Sequence, residues 1–138
     1  MPGRVCLWRY RARARNYPGF HLSADPDGCT QLLALLRNLA KARTPQIGTI
    51  VLDRVTPADL SIPNNGDDVA SYSRWELVVD PGFDPEHLRF SVINDRVRTE
   101  LSTVQVESVA AGVQDICEGR GDYGIGDDDD HMLTFWWQ

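Results

Sequence analysis

Near the C-terminus the sequence reads EGRGDYGIGDDDD, which carries two familiar chemical signatures. Gly119, Gly121 and Gly124 stand as G-x-G-x-x-G, the spacing of a dinucleotide cradle, and Arg120, Gly121 and Asp122 spell the adhesion tripeptide RGD. A glycine cradle works where a strand turns into a helix, because the first amides of that helix hold the pyrophosphate. Here the apolar periodicity puts a helix before the glycines and a strand after them. The nearest helix end is then a C-terminus, which carries partial negative charge. Asp122 and the run Asp127, Asp128, Asp129 and Asp130 add further repulsion for a phosphate. The glycines therefore read as a turn, with Gly119 in the positive-φ position that follows a helix. The aspartate run could offer hard oxygen ligands to a cation such as calcium. It lacks the glycine and the closing acid of an EF-hand loop, so a solvated acidic turn is the preferred reading. Neither a cofactor nor a metal is expected.

Cys29 is the candidate nucleophile. It falls in the first turn of a helix, where the dipole lowers a thiol's pKa, although Asp25 and Asp27 oppose that effect. A general base would have to come from His21, His87 or His131. Asp53, Asp59, Glu76 and Asp80 are candidate carboxylates, with nothing to mark two of them as partners. The sequence has no nucleophile elbow, HExxH, CxxC or phosphate loop.

The basic residues of the N-terminus form the candidate binding site. Arg9, Arg11, Arg13 and Arg15 recur with period two, and Cys6, Trp8, Tyr10, Ala12 and Ala14 take the other phase. That is a strand with a basic side and an apolar side. Cations two residues apart on one strand face repel each other. They call for Glu76 or Asp80 on a neighbouring strand, for the acidic loop, or for an anionic partner.

These residues must be positioned by the following elements. Asp25-Pro26 starts a helix that carries Leu32, Leu35, Leu36 and Leu39 on one stripe and runs to about residue 42. IGTIVLDRV and SRWELVVD are strands. The polar stretch Ser61 to Ser73 between them is the longest loop. LRFSVI and RVRTELS form a hairpin through Asn94-Asp95. Ser102 and Gln105 match a capping box that opens a second helix over about 103–118. HMLTFWW is a last strand, apolar on both faces and thus interior to a sheet. The order is β-α-β-β-β-β-α-β. It predicts an α+β fold: a mostly antiparallel sheet of five or six strands with two helices packed on one face.

The chain has 138 residues and a net charge of −6, and its composition is that of one globular domain spanning 1–138. Residues 1–15 hold five of the 14 basic groups and none of the 20 acidic ones. An acidic body repels nucleic acid. No stretch is apolar enough to span a membrane. Three cysteines without metal spacing suggest a reducing, cytoplasmic setting. The expected function is a non-catalytic protein-binding module, inhibitor-, immunity- or adaptor-like, whose partner carries an acidic patch. The alternatives are a small enzyme using Cys29 and an anion or nucleic-acid binder using the Arg9–Arg15 strand face.

Overall fold

The computed structural model describes residues 3–10, 19–54, 69–119, 123–126 and 132–136. Its strands are β1 (Val5–Tyr10), β2 (Phe20–Ala24), β3 (Gln46–Val51), β4 (Val69–Ser71), β5 (Arg74–Val79), β6 (Arg89–Ile93), β7 (Arg96–Leu101), β8 (Tyr123–Gly126) and β9 (Met132–Trp136). Helix α1 (Pro26–Leu39) lies between β2 and β3, and α2 (Thr103–Cys117) between β7 and β8. The fold is α+β, as the sequence predicts. The strands are divided between two mixed, mostly antiparallel sheets, ordered β4-β1-β2-β9-β8 and β3-β5-β7-β6. The helices pack on each other and on strands of both sheets.

Three strands beyond the expected order all belong to the five-stranded sheet. Phe20–Ala24 contains a histidine and a serine, and hides as a strand because all five residues are buried, whatever their polarity. β4 is three residues long and sits inside the stretch read as a loop. β8 takes up part of the glycine-rich turn and forms a hairpin with β9.

The division has an internal order. One unit runs β1-β2-α1-β3-β5 and a second runs β6-β7-α2-β8-β9. Apart from the added β4, the sheets read β1-β2-β9-β8 and β6-β7-β5-β3. These are the same sequence of strands with the units exchanged. Each unit's opening hairpin pairs, through a parallel contact, with the closing strands of the other: β2 with β9 and β7 with β5. Both halves of the chain contribute to one continuous apolar cluster.

Local chemistry fixes the elements. Asp25 caps α1: its Oδ1 accepts from Gly28 N at 2.7 Å and from Arg4 N at 2.9 Å, which ties the helix start to the base of β1. Ser102 caps α2 through the expected box, with Gln105 Oε1 accepting from Ser102 N at 2.8 Å and Ser102 Oγ accepting from Gln105 N at 3.3 Å. Asn94 has a φ of 57°, a conformation asparagine tolerates, and closes the β6–β7 hairpin. Gly119 follows α2 with a φ of 78°, as its place in the sequence suggests. The last strand lies between β2 and β8 with Leu133, Phe135 and Trp136 buried, as its apolar faces require.

Candidate functional site

The solvent face of the four-stranded sheet gathers six charged residues, Arg74, Glu76, Arg89, Arg96, Arg98 and Glu100. Strand periodicity puts alternate residues outside, and the register sets them in rows. One row reads Val51, Arg74, Arg96, Ile93; the next reads Thr49, Glu76, Arg98, Ser91; the third reads Ile47, Val78, Glu100, Arg89. The opposite residues, among them Ile50, Trp75, Leu77, Val97, Thr99 and Leu101, face the core and are buried. Buried Trp75 is pinned there by its Nε1–H, which donates to Thr99 Oγ1 at 2.8 Å.

Glu76 organises the centre of this face. Its side chain is 19% exposed, and its Oε2 accepts from Arg98 Nη2 at 3.1 Å and Nε at 3.3 Å. Its Oε1 accepts from Arg96 Nη1 at 3.5 Å. Exposed pairs of this kind contribute at most about 1 kcal/mol to stability. Their larger effect is to hold two guanidinium groups in fixed positions. Arg74 and Arg89 make no ion pair among the described residues. Arginines thus outnumber carboxylates on this face, on a chain whose net charge is −6. Exposed Ile47, Val51 and Ile93 lie along its margins.

Of the residues singled out in the sequence, Glu76 lies on this face. Arg11, Arg13, Arg15 and Asp127 to Asp130 lie outside the described residues, as do Asp59, His131, Arg120, Gly121 and Asp122. Arg9 belongs to β1, and its guanidinium lies over the Phe20 ring, 5.5 Å from the centroid. The side of β1 that carries Arg9 also carries buried Val5 and Leu7, so its basic character does not extend to the strand's start. Glu76 holds Arg96 and Arg98, and Asp80 Oδ1 accepts from Gly82 N at 2.9 Å. Asp53 receives the Val5 amide at 3.3 Å. Each described carboxylate of the candidate set is therefore engaged in a different place.

Cys29 is fully buried, with Sγ 3.8 Å from Ala24 O and 4.0 Å from Val113 O. Burial pushes its pKa strongly upward, and the neighbouring Cys117 thiol and the Asp25 charge push the same way. A nucleophile needs the reverse, a thiolate at neutral pH. His21 does not serve Cys29. Phe20, Leu22 and Ala24 join the helix-side core, so His21 and Ser23 point to the far side of the sheet. There His21 lies between the Trp8 and Trp136 rings, with centroids 5.7 and 6.0 Å away, and its Nδ1 accepts from Trp136 Nε1 at 2.8 Å. His87 is exposed and 3.4 Å from Asp84. The three cysteines remain thiols.

Among the described residues there is no cluster of metal-ligating side chains, and no helix is long and apolar enough to cross a membrane. No protein-family model matches the sequence, and a search of curated proteins finds no match. The arginine face was visible in the sequence as the alternation Arg96-x-Arg98 and Arg74-x-Glu76. What the sequence lacked was the β5–β7 register that places all four on one side.

Proposed function

We propose that this chain is a non-catalytic protein-binding module, inhibitor-, immunity- or adaptor-like, that meets an acidic partner surface. One observation carries the reading: the open face of the four-stranded sheet presents Arg74, Arg96, Arg98 and Arg89 around the Glu76 clamp, with aliphatic side chains at its margins. Arginine anchors flanked by apolar contacts are the composition of protein contact surfaces. Preset guanidinium forks suit carboxylates, which they can bind in bidentate fashion. The basic run Arg9, Arg11, Arg13 and Arg15 is the second element of the proposed contact. A cytoplasmic setting agrees with three cysteines held as thiols.

The test compares capture by the native chain with capture by an Arg96→Glu/Arg98→Glu variant whose circular dichroism is unchanged. A stoichiometric protein partner that binds the native chain and binds the variant at least tenfold more weakly supports the reading, since each desolvated charge contact of this kind is worth about 2 kcal/mol or more. Equal capture by both, or capture of nucleic acid in place of protein, contradicts it.

A further inference from the structure

We propose that the outer edge of β3 pairs with the same edge of a second copy of this chain, antiparallel, across a two-fold axis at Thr49. This goes beyond the function proposed above and holds whether or not the arginine face has a partner.

The argument begins with the backbone. Leu52 N donates to Ser73 O at 2.8 Å, in the same register that pairs Ile50 with Trp75 and Gly48 with Leu77. In an antiparallel ladder the hydrogen-bonded positions alternate. Gln46, Gly48 and Ile50 therefore turn their amides and carbonyls toward β5, and Ile47, Thr49 and Val51 turn theirs outward. Among the described residues no strand pairs with β3 on that side. The next outward amide, Asp53 N, is taken by Val5 O at 2.8 Å. The open edge thus covers Ile47 to Val51.

That edge lacks the usual protection. Edge strands are normally shielded by charge, proline or a bulge. QIGTIV has neither charge nor proline, and it exposes Ile47 at 61% and Val51 at 72%. The edge is also accessible. A groove of about 580 Å³ runs beside it, lined by Gln31 and Leu35 of α1, by Thr49, Ile50 and Val51 of β3, and by Gly3 and Asp53. The equivalent groove of the second unit, beside β8, is smaller at about 170 Å³ and is lined by Ser108, Ile125 and Gly126 among others.

The pattern along β3 favours a second copy over an unrelated strand. A two-fold contact must be self-complementary. Centred on Thr49, it sets Thr49 opposite Thr49, and Ile47 of each copy opposite Val51 of the other. Every outward amide and carbonyl then meets a counterpart. One step further, Asp53 falls opposite Pro45 of the other copy. Asp53 has already donated its amide to Val5, and Pro45 has none to donate, so the ladder stops without leaving an amide unpaired. Charge points the same way. Two chains of −6 repel over most of their surfaces, and an uncharged strand is where they can approach. The same arrangement brings Arg43 of each copy toward the end occupied by Asp53 of the other. The product is one continuous sheet, with both arginine faces on the same side.

Sedimentation velocity over a range of concentrations tests this with the full chain. The native protein is expected to be a dimer at micromolar concentration. Thr49→Pro, tolerable at an edge position that donates to nothing within its own chain, and Val51→Lys each weaken the dimer by about tenfold or more, with circular dichroism unchanged. Short thiol cross-linking in a Cys117→Ser background fixes the register. Thr49→Cys chains join to each other. Ile47→Cys chains do not, because their equivalent positions lie four residues apart along the strand, roughly 14 Å; the same holds for Val51→Cys chains. A mixture of Ile47→Cys and Val51→Cys chains does join. A native chain that stays monomeric at every concentration, edge variants that remain dimeric, or Ile47→Cys chains that link without the Val51→Cys partner would each overturn the proposal.

Discussion

Gly112→Ala sets two effects of opposite sign against each other. In a helix interior, replacing glycine by alanine gains about 1 kcal/mol from backbone entropy. Gly112 lies on α2 where the helix meets β9. A β-carbon built there would stand 2.4 Å from Phe135 Cζ and 2.6 Å from both ring Cε atoms. Ordinary carbon contacts lie at about 3.5–4 Å, so ring and helix would have to separate by roughly 1 Å. Phe135 is fully buried on a strand held between β2 and β8, and has nowhere to withdraw. Overpacking of this kind costs about 1–3 kcal/mol, and occasionally more. Because the ring cannot withdraw, the upper part of that range, about 2–3 kcal/mol, applies, so the clash is expected to win by about 1–2 kcal/mol, a fall in Tm of roughly 3–8 °C. Urea unfolding followed by tryptophan fluorescence reads the change, since Trp8, Trp75 and Trp136 are all buried. Adding Phe135→Leu should relieve part of the loss, so that the double variant is less destabilised than the sum of the single ones. A Gly112→Ala chain as stable as the native one, or more so, would refute the close approach of α2 to β9.

Other consequences concern caps and protonation. Ser102→Ala removes the hydroxyl that caps α2 and should cost about 1 kcal/mol in the same unfolding assay; no loss would mean that the box contributes nothing. Cys29 keeps its proton in the folded state to a pH well above the value of about 8.5 at which an unfolded thiol ionises. Its contribution is therefore intact below about pH 8.5, and above that the unfolded chain binds fewer protons than the folded one. Stability should then fall by about 1.4 kcal/mol per pH unit more in the native chain than in Cys29→Ala. Equal slopes for the two chains would contradict the burial of that thiol. For the same reason, a thiol reagent at neutral pH should modify half-buried Cys117 before Cys29, and modification of Cys29 first would contradict the placement of both.

Local signals in the sequence were enough for several features. The Asp25-Pro26 start, the Ser102–Gln105 box, the Asn94-Asp95 turn, positive φ at Gly119 and the interior place of the last strand each depend on a few adjacent residues, and each was legible. β2 was not, because a strand buried on both faces need not alternate: His21 and Ser23 are hidden by the far side of their sheet just as Phe20 and Leu22 are by the helices. The exchange of strands between the two units was invisible for a related reason. It rests on the parallel contacts of β2 with β9 and of β7 with β5, which join residues distant in the chain, and the two units share no repeat in sequence. The arginine face shares that cause. Arg96 and Arg98 advertise a basic strand, but only the register with β5 sets Glu76 between them. The Arg9 ladder is contiguous and so is plain in the sequence. Glu76 and Asp80, two of the groups considered as its counter-charges, lie on or beside the other sheet.

Hydrogen–deuterium exchange on the complex with the captured partner tests the central claim most directly. If the arginine-bearing sheet face is the contact surface, partner binding slows exchange in peptides covering β5 and β7, and the effect disappears with Arg96→Glu/Arg98→Glu. Protection confined to the five-stranded sheet, with β5 and β7 exchanging as in the isolated chain, would contradict it.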